Sequence, residues 1–303
     1  LERVSLCYIR KLFMKEYFLS FVILIFSLFL SYLVSFYSIS FLEYKLVYEL
    51  WLLIFLIHIL MFLPSYFYQT EHYYDLTGGI TYISCIIYLA LGRYFHFNYL
   101  DDVPLIVSLF VLMWTLRLSS FLFLRVKKTG KDIRFNEIKK DFKKFLLAFL
   151  LSGLWVFMCL LPTIVILTSS SNIELNFITI IGIVFWIVGF IFEVVADKQK
   201  TEFNKNHKGK FISTGLWSIS QHPNYFGEFT LWLGITIISL PYLEGLNYVI
   251  LISPIFIYYL LTNISGVNLL QELGNKRWGS LEAYKKYKKE TPIFFPKIFK
   301  FWS

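Results

Sequence analysis

Eight long apolar runs alternate with short segments that carry almost all of the charge. The runs are Phe18 to Phe41, Val47 to Tyr66, Leu76 to Phe95, Val103 to Leu124, Phe145 to Leu167, Phe177 to Ala196, Pro223 to Leu240 and Gly245 to Thr262. Each comes close to the ~20 residues that a helix needs to cross a hydrocarbon layer of about 30 Å. Backbone groups inside a bilayer have no water to bond, so runs of this length predict helices. The expected fold is an all-α polytopic membrane protein with about eight transmembrane helices, seven to nine being compatible with the pattern.

The polar breaks supply an orientation. Of the 29 Lys and Arg residues, 26 fall before the first run, in alternate breaks, or after the last. Cytoplasmic segments collect such residues, so both termini are expected in the cytoplasm. Lys45 and Arg93 are left to the other side, and Arg117 lies inside the fourth run. The bias suits an endoplasmic-reticulum membrane in a eukaryote and an inner membrane in a bacterium equally well.

Composition agrees with the pattern. Hydrophobic residues make up 57% of the 303, and charged residues only 16%, where soluble domains carry about 25%. Mean hydropathy is +0.62. The formal charge of +9 follows from orientation and from attraction to anionic headgroups, and no nucleic-acid partner is expected. Cys7, Cys85 and Cys159 lie far apart, in or beside apolar runs, which implies packing and neither disulfides nor a metal site. The first run is too long for a signal peptide and lacks a small-residue cleavage site, so it is expected to remain as an anchor. Within Val126 to Lys144, the apolar positions Ile133, Phe135, Ile138 and Phe142 predict an amphipathic helix lying in the interface. No segment is long and polar enough for a separate soluble domain, so residues 1–303 are read as a single integral membrane domain. Its cytoplasmic loops are 125–144 and 197–222, and its tail is 263–303.

A few polar residues sit where apolar ones are expected. Arg117 lies about 12 Å along the helix from Arg125 at the boundary. It either snorkels or meets an anion, with Glu193 and Asp197 as natural counter-charges. In QHPNYFGE, Pro223 suits a first helical position, which puts Asn224, Glu228 and Trp232 on one face. Capping accounts for polarity at His222 and Asn224, but Glu228 lies more than a turn inside. His58 is solitary on an apolar run and reads as a packed, hydrogen-bonded histidine. Neither HExxH, clustered His/Cys, GxGxxG nor GxSxG occurs, so metal, soluble dinucleotide-domain and elbow-hydrolase chemistry find no motif.

The segment DKQKTEFNKNHKGKFISTGLWSISQHPNYFGEFTLWLGI, Asp197 to Ile235, resembles the DUF1295 branch of the steroid 5-alpha-reductase-like membrane proteins. The likeness extends through TLRLSSFLFLRVKKTGKDIRF upstream and SGVNLLQELGNKRWGSLEAYKKYKKETPIFFP downstream. It thus belongs to residues 103–300, and residues 1–100 add N-terminal helices. The resemblance implies an NADPH-dependent oxidoreductase that reduces a carbon–carbon double bond, conjugated to a carbonyl, in a sterol or other lipid. Carried over by position, it implies cofactor contacts at Asn224, Glu228 and Asp197, with Tyr225, His222 and Arg117 beside them and Arg277 and Tyr284 toward the phosphates.

The catalytic residue is left unassigned. Where characterised steroid reductases have a substrate-facing Tyr, this chain has Trp114, whose indole cannot donate a proton in the same way. Glu71, Tyr73, Tyr74 and Asp75, in YQTEHYYDLTGG, are alternative donors, and Arg117 is a further catalytic candidate. Two other readings stay open. Isoprenylcysteine and phospholipid methyltransferases that use S-adenosylmethionine share a His-Pro-x-Tyr-x-Gly segment. They usually carry an Arg before the His and a Glu-Glu pair near the tail, where this chain has Gln221 and the single Glu272. The other alternative is a non-catalytic lipid-binding protein. The oligomeric state is not readable.

Overall fold

The computed structural model describes residues 2–129, 135–264 and 266–297, with side chains from residue 15 onward except those of 125–129. Ten α-helices account for most of them: α1 (Glu2–Ser35), α2 (Leu46–Phe67), α3 (Tyr74–Phe97), α4 (Asp102–Thr129), α5 (Phe142–Thr168), α6 (Phe177–Asn206), α7 (Pro223–Ser239), α8 (Ile252–Tyr259), α9 (Val267–Trp278) and α10 (Glu282–Glu290). A two-stranded antiparallel hairpin, β1 (Ser40–Phe41) and β2 (Tyr44–Lys45), turns the chain between α1 and α2. Among the described residues, seven helical segments are long and apolar enough to cross a membrane. They lie within α1 to α6 and along Gly245–Trp278.

The seventh apolar run differs from expectation. It forms α7, with 17 residues and about 26 Å of length, short of a full crossing. The eighth run is broken into a 3₁₀ stretch (Gly245–Leu251), α8 and a π-turn (Leu260–Ile264) before α9. Elsewhere the apolar surface that a bilayer would cover is plain: Phe18, Phe21, Phe29, Phe177 and Ile255 are all more than half exposed.

The chain divides into two compact units, Leu1–Leu175 with Tyr242–Ile250, and Asn176–Pro241 with Leu251–Ser303. In the first, α5 is central, 83% of its apolar window being buried, and it packs on α1, α2, α3 and α4. Asp141 caps α5 by accepting from the backbone N–H groups of Lys143 and Lys144 at 2.9 and 3.3 Å.

Among the described residues of 126–144, the expected interfacial amphipathic helix does not form. α4 continues to Thr129, Ile133 lies outside the described residues, and the segment re-emerges as a single 3₁₀ turn at Ile138–Lys140. Phe135 is buried with Phe62, Phe145 and Phe149, Ile138 packs on the same cluster, and Phe142 lies edge-on to Phe62 at 5.1 Å. Phe135 thus found a protein core to cover it, and Ile138 is partly covered, while Phe142 stays exposed at 39%.

The second unit is organised around the α6–α7 pair. Gly182 and Gly189 on α6 face Gly234 and Gly227 on α7, each pair of glycines seven residues apart. A Cβ at Gly182 would stand 2.7 Å from the Gly234 carbonyl oxygen, and one at Gly189 only 2.6 Å from that of Gly227. Only glycine permits backbones to approach so closely. Gly227 thereby admits a neighbouring helix, meeting the backbone of Glu193.

Candidate functional site

α6 is 30 residues long, about 45 Å, so it outruns the ~30 Å hydrocarbon layer by roughly three turns. Those turns carry Asp197 and Lys200. The glycine contacts then bring the start of α7 alongside: Asn224 donates from Nδ2 to Asp197 Oδ1 at 3.3 Å. Asp197 is 8% exposed and Glu193, one turn earlier on the same face, 3%.

The loop between the two helices is stapled to α6. Gly215 adopts a left-handed conformation, φ 61°, and its missing side chain makes room for the Gln199 amide. Gln199 Oε1 accepts from the Leu216 backbone N–H at 2.9 Å, and Trp217 donates from Nε1 to the Ala196 carbonyl at 3.1 Å. Ala196, Ile212 and Trp217 form a small buried cluster beneath. Lys200 lies over the Trp217 ring, 4.6 Å from its centroid. The Gly-Leu-Trp and Gln parts of the motif therefore build the corner that the His-Pro-Asn part occupies.

The tail closes the other side of that corner. Gln221 donates its backbone N–H to the Pro292 carbonyl at 2.8 Å, Ser220 Oγ donates to Phe294 O at 2.8 Å, and the Lys297 N–H donates to Ile219 O at 2.8 Å. Tyr287 donates its hydroxyl to Trp217 O at 2.7 Å. Phe226, Phe229, Tyr258 and Phe294 interlock, Tyr258 and Phe294 at 5.1 Å, and hold α7, α8 and the tail together.

At the head of α7, Pro223 takes the first helical position, and His222 sits at the N-cap without a side-chain capping bond. His222 is 5% exposed, its ring stacked on Tyr225 at 5.8 Å between centroids. Burial, and after it the charge of Lys200, lowers the imidazole to about 3, so it is neutral at physiological pH. Two buried polar atoms here have no hydrogen-bond partner among the described residues: His222 Nδ1 and Asn224 Oδ1. Asn224 turns its amino group to the Asp197 carboxylate, so the orphan oxygen is an acceptor.

The other residues singled out from sequence are placed as follows. Glu228 and Tyr225 are half-buried on α7. Arg277 is exposed in the last turn of α9. Tyr284 is buried against Phe211 at 5.1 Å and Trp278 at 5.8 Å, and burial raises its phenol, which stays protonated. That is a packing position between α9 and α10.

Arg117 belongs to the first unit, half-buried on α4, its guanidinium 5.6 Å from the Phe121 ring centre. Glu71 accepts from Lys139 Nζ at 2.5 Å, with its side chain 2% exposed. Tyr74 donates its hydroxyl to Ala148 O at 3.0 Å, Asp75 is half-buried on α3, and Tyr73 is exposed at that helix's N-cap. Trp114 is buried at 2%, edge-on to Tyr82 of α3 at 5.2 Å, which sets a phenol beside the indole. His58 is held at Nδ1 by Ile54 O (2.8 Å) and at Nε2 by Ser152 Oγ (3.2 Å), as a packed histidine should be.

Sequence reasoning missed Lys200 and Gln271. Lys200 stands three residues after Asp197 on the same helix, and that spacing was the available signal. Gln271 is brought to His222 only by tertiary folding, its Nε2 3.2 Å from the imidazole Nε2. No group of three or more potential metal ligands occurs among the described residues.

These features define an integral membrane protein of helical construction with a polar corner where a long helix leaves the apolar layer. The chain matches the model of the family described as "Protein of unknown function (DUF1295)" over residues 61–291, and it belongs to that family. Comparison with curated proteins and with solved structures found no match.

Proposed function

We propose that the protein is a membrane-bound NADPH-dependent oxidoreductase that reduces a carbon–carbon double bond, conjugated to a carbonyl, in a sterol or another lipid. The observation that carries this reading is the pair of buried, unpartnered polar atoms at the head of α7, His222 Nδ1 and Asn224 Oδ1. Buried polar atoms are nearly always bonded, so such a pair fits a ligand that presents both an acceptor and a donor. The nicotinamide carboxamide does so.

When bound, NADPH would supply a hydride to the β-carbon of the double bond, and a proton would complete the α-carbon. The chain's own residues bind and orient. Asn224, steadied by Asp197, offers an acceptor, and His222 offers a ring nitrogen. Lys200 brings a cation to within electrostatic reach of His222, where phosphate charge needs one. The Phe226, Phe229, Tyr258 and Phe294 cluster keeps the adjoining surface apolar and dry, which strengthens each of these contacts.

The methyltransferase alternative finds less support. At the position where those enzymes usually carry Arg, Gln221 is a neutral amide spent on the tail, donating to Thr291 O at 2.6 Å and Lys288 O at 3.2 Å. Titrating protein reconstituted in lipid nanodiscs with NADPH and with S-adenosylmethionine tests the choice. NADPH binding that Asn224→Ala weakens is expected, whereas binding of S-adenosylmethionine without NADPH would sink the proposal.

A further inference from the structure

One hydrogen-bond chain in the second unit fixes its own direction. Gln221 Nε2 faces two backbone carbonyls, Thr291 O at 2.6 Å and Lys288 O at 3.2 Å. A carbonyl oxygen only accepts, so the atom facing both must be the amide nitrogen, and Gln221 Oε1 is left as an acceptor. Gln271 lies 2.7 Å from that oxygen, so the Gln271 atom there must be its nitrogen, and one of its two protons is used. The same nitrogen lies 3.2 Å from His222 Nε2. Its second proton points there, and Nε2 must accept it.

A neutral imidazole has one protonated nitrogen and one bare nitrogen. With Nε2 accepting, the proton belongs on Nδ1. That nitrogen is buried and has no partner among the described residues. Lys200 is the charged group that acts on the ring, and its positive charge, like burial, opposes a second proton.

We propose that Gln271 and Gln221 are positioning residues that hold His222 as an Nδ1–H donor, so that the ligand atom His222 meets is an oxygen acceptor. Tertiary backbone thereby sets the tautomer: the carbonyls of Lys288 and Thr291, at the end of α10, orient Gln221, which orients Gln271, which orients the proton. The tail is thus part of the binding corner although none of its side chains is required to touch the ligand. The inference extends the NADPH reading, but its central claim concerns the protein alone.

The test is a long-range nitrogen–proton NMR correlation on protein labelled with ¹⁵N-histidine in nanodiscs, without ligand. His222 is assigned among the five histidines by the signals that vanish in His222→Gln. The proton is expected on Nδ1 in the wild type and distributed over both nitrogens in Gln271→Met, which keeps the side-chain length and removes the donor. A proton on Nε2 in the wild type overturns the proposal, and this reading does not depend on the Gln271 variant. A pattern unchanged in Gln271→Met removes Gln271 from the relay and overturns it equally.

Affinity then identifies the oxygen. Gln271→Met is expected to weaken NADPH binding by roughly fivefold to tenfold, the net value of one hydrogen bond. An equal loss for the adenosine bisphosphate half of NADPH assigns the acceptor to a phosphate, and a loss confined to intact NADPH assigns it to the nicotinamide carboxamide. Should NADPH fail to bind while the proton sits on Nδ1 and depends on Gln271, the cofactor reading falls and the relay stands.

Discussion

Two buried polar corners, one in each unit, are built from similar materials and end differently. In the first unit, Arg93 is 1% exposed in the last turns of α3, where it donates from Nε to Asp101 at 3.0 Å, from Nη2 to the same oxygen, and from Nη1 to Ser169 O at 2.7 Å. It also lies over the Phe97 ring at 4.8 Å. In the second unit, His222 is almost as deeply buried, yet Nδ1 is unpartnered, and Asn224 Oδ1 beside it is too. A saturated cluster ties elements together and has nothing left to offer a ligand. An unsaturated one carries a standing desolvation cost that a ligand can relieve. The contrast separates a buried charge with its partners in place from buried polar atoms that have none among the described residues.

The strongest way to break this contrast is at Arg93. Arg93→Met strands the Asp101 carboxylate and frees two backbone carbonyls, and a loss of about 3 to 5 kcal/mol is expected, the usual result of breaking a buried pair. Thermal unfolding in detergent should show it, with NADPH affinity per folded molecule unchanged. A stable Arg93→Met that cannot bind NADPH would invert the two corners' roles.

Next in size is a pH effect confined to the second corner. The folded chain holds His222 at about 3, against 6.5 for an unperturbed histidine. Between those values the unfolded chain binds more protons, so stability falls as pH drops from 6.5 toward 3 and is unaffected by this group above 6.5. Each pH unit inside that window is worth up to about 1.4 kcal/mol. Denaturant titrations across the window should give a shallower slope for His222→Gln than for the wild type; identical slopes would mean that the imidazole is not held neutral.

Asn224→Ala is expected to lower NADPH affinity about tenfold or more, in line with one or two hydrogen bonds of ~1 kcal/mol each, while the unfolding temperature stays close to that of the wild type. The reverse result, a large stability loss with intact binding, would make Asn224 a strut for Asp197. Gly215→Ala should give the smallest effect, about 1 kcal/mol of stability or slightly more, from the left-handed backbone and the crowded Gln199 amide. Unaltered NADPH affinity in the folded protein is expected there, because the Gly-Leu-Trp staple stands behind the proposed binding corner and not in it.

Much of the membrane fold was legible because a bilayer imposes a length and a composition on every crossing, and six of the eight apolar runs became long helices close to the expected places. The failures share a cause. Phe135, Ile138 and Phe142 have the spacing of an interfacial helix, and only the position of Phe62 and its neighbours shows that protein covers Phe135 and part of Ile138. Arg93 reads as a loop residue at the edge of a run, and only the return of 167–169 supplies the carbonyls that bury it. The run after Pro223 forms a helix over nearly its whole length, and at 17 residues α7 is simply short for a crossing.

The candidate site was partly legible. His222, Asn224 and Asp197 stand out in the sequence, and the structure joins Asn224 to Asp197; Lys200 follows Asp197 by three residues on the same helix. Tyr284 carries the aromatic and hydroxyl character of a ligand contact, and only the fold shows that Phe211 and Trp278 pack against its ring. Glu71 is a carboxyl residue in the sequence, and only the fold shows that it is buried and paired with Lys139.

By itself the sequence determined that this chain lives in a membrane, where six of its long helices lie, and that chemistry-bearing residues gather between Asp197 and Glu228. Those are properties of local composition and period, which one stretch of chain carries without reference to any other. Which of the polar residues are saturated, and which nitrogen of His222 holds the proton, was decided by tertiary structure alone. A hydrogen bond needs a partner at about 3 Å, and the partners here, Gln271 and the carbonyls of Lys288 and Thr291, stand about 50 to 70 residues away along the chain.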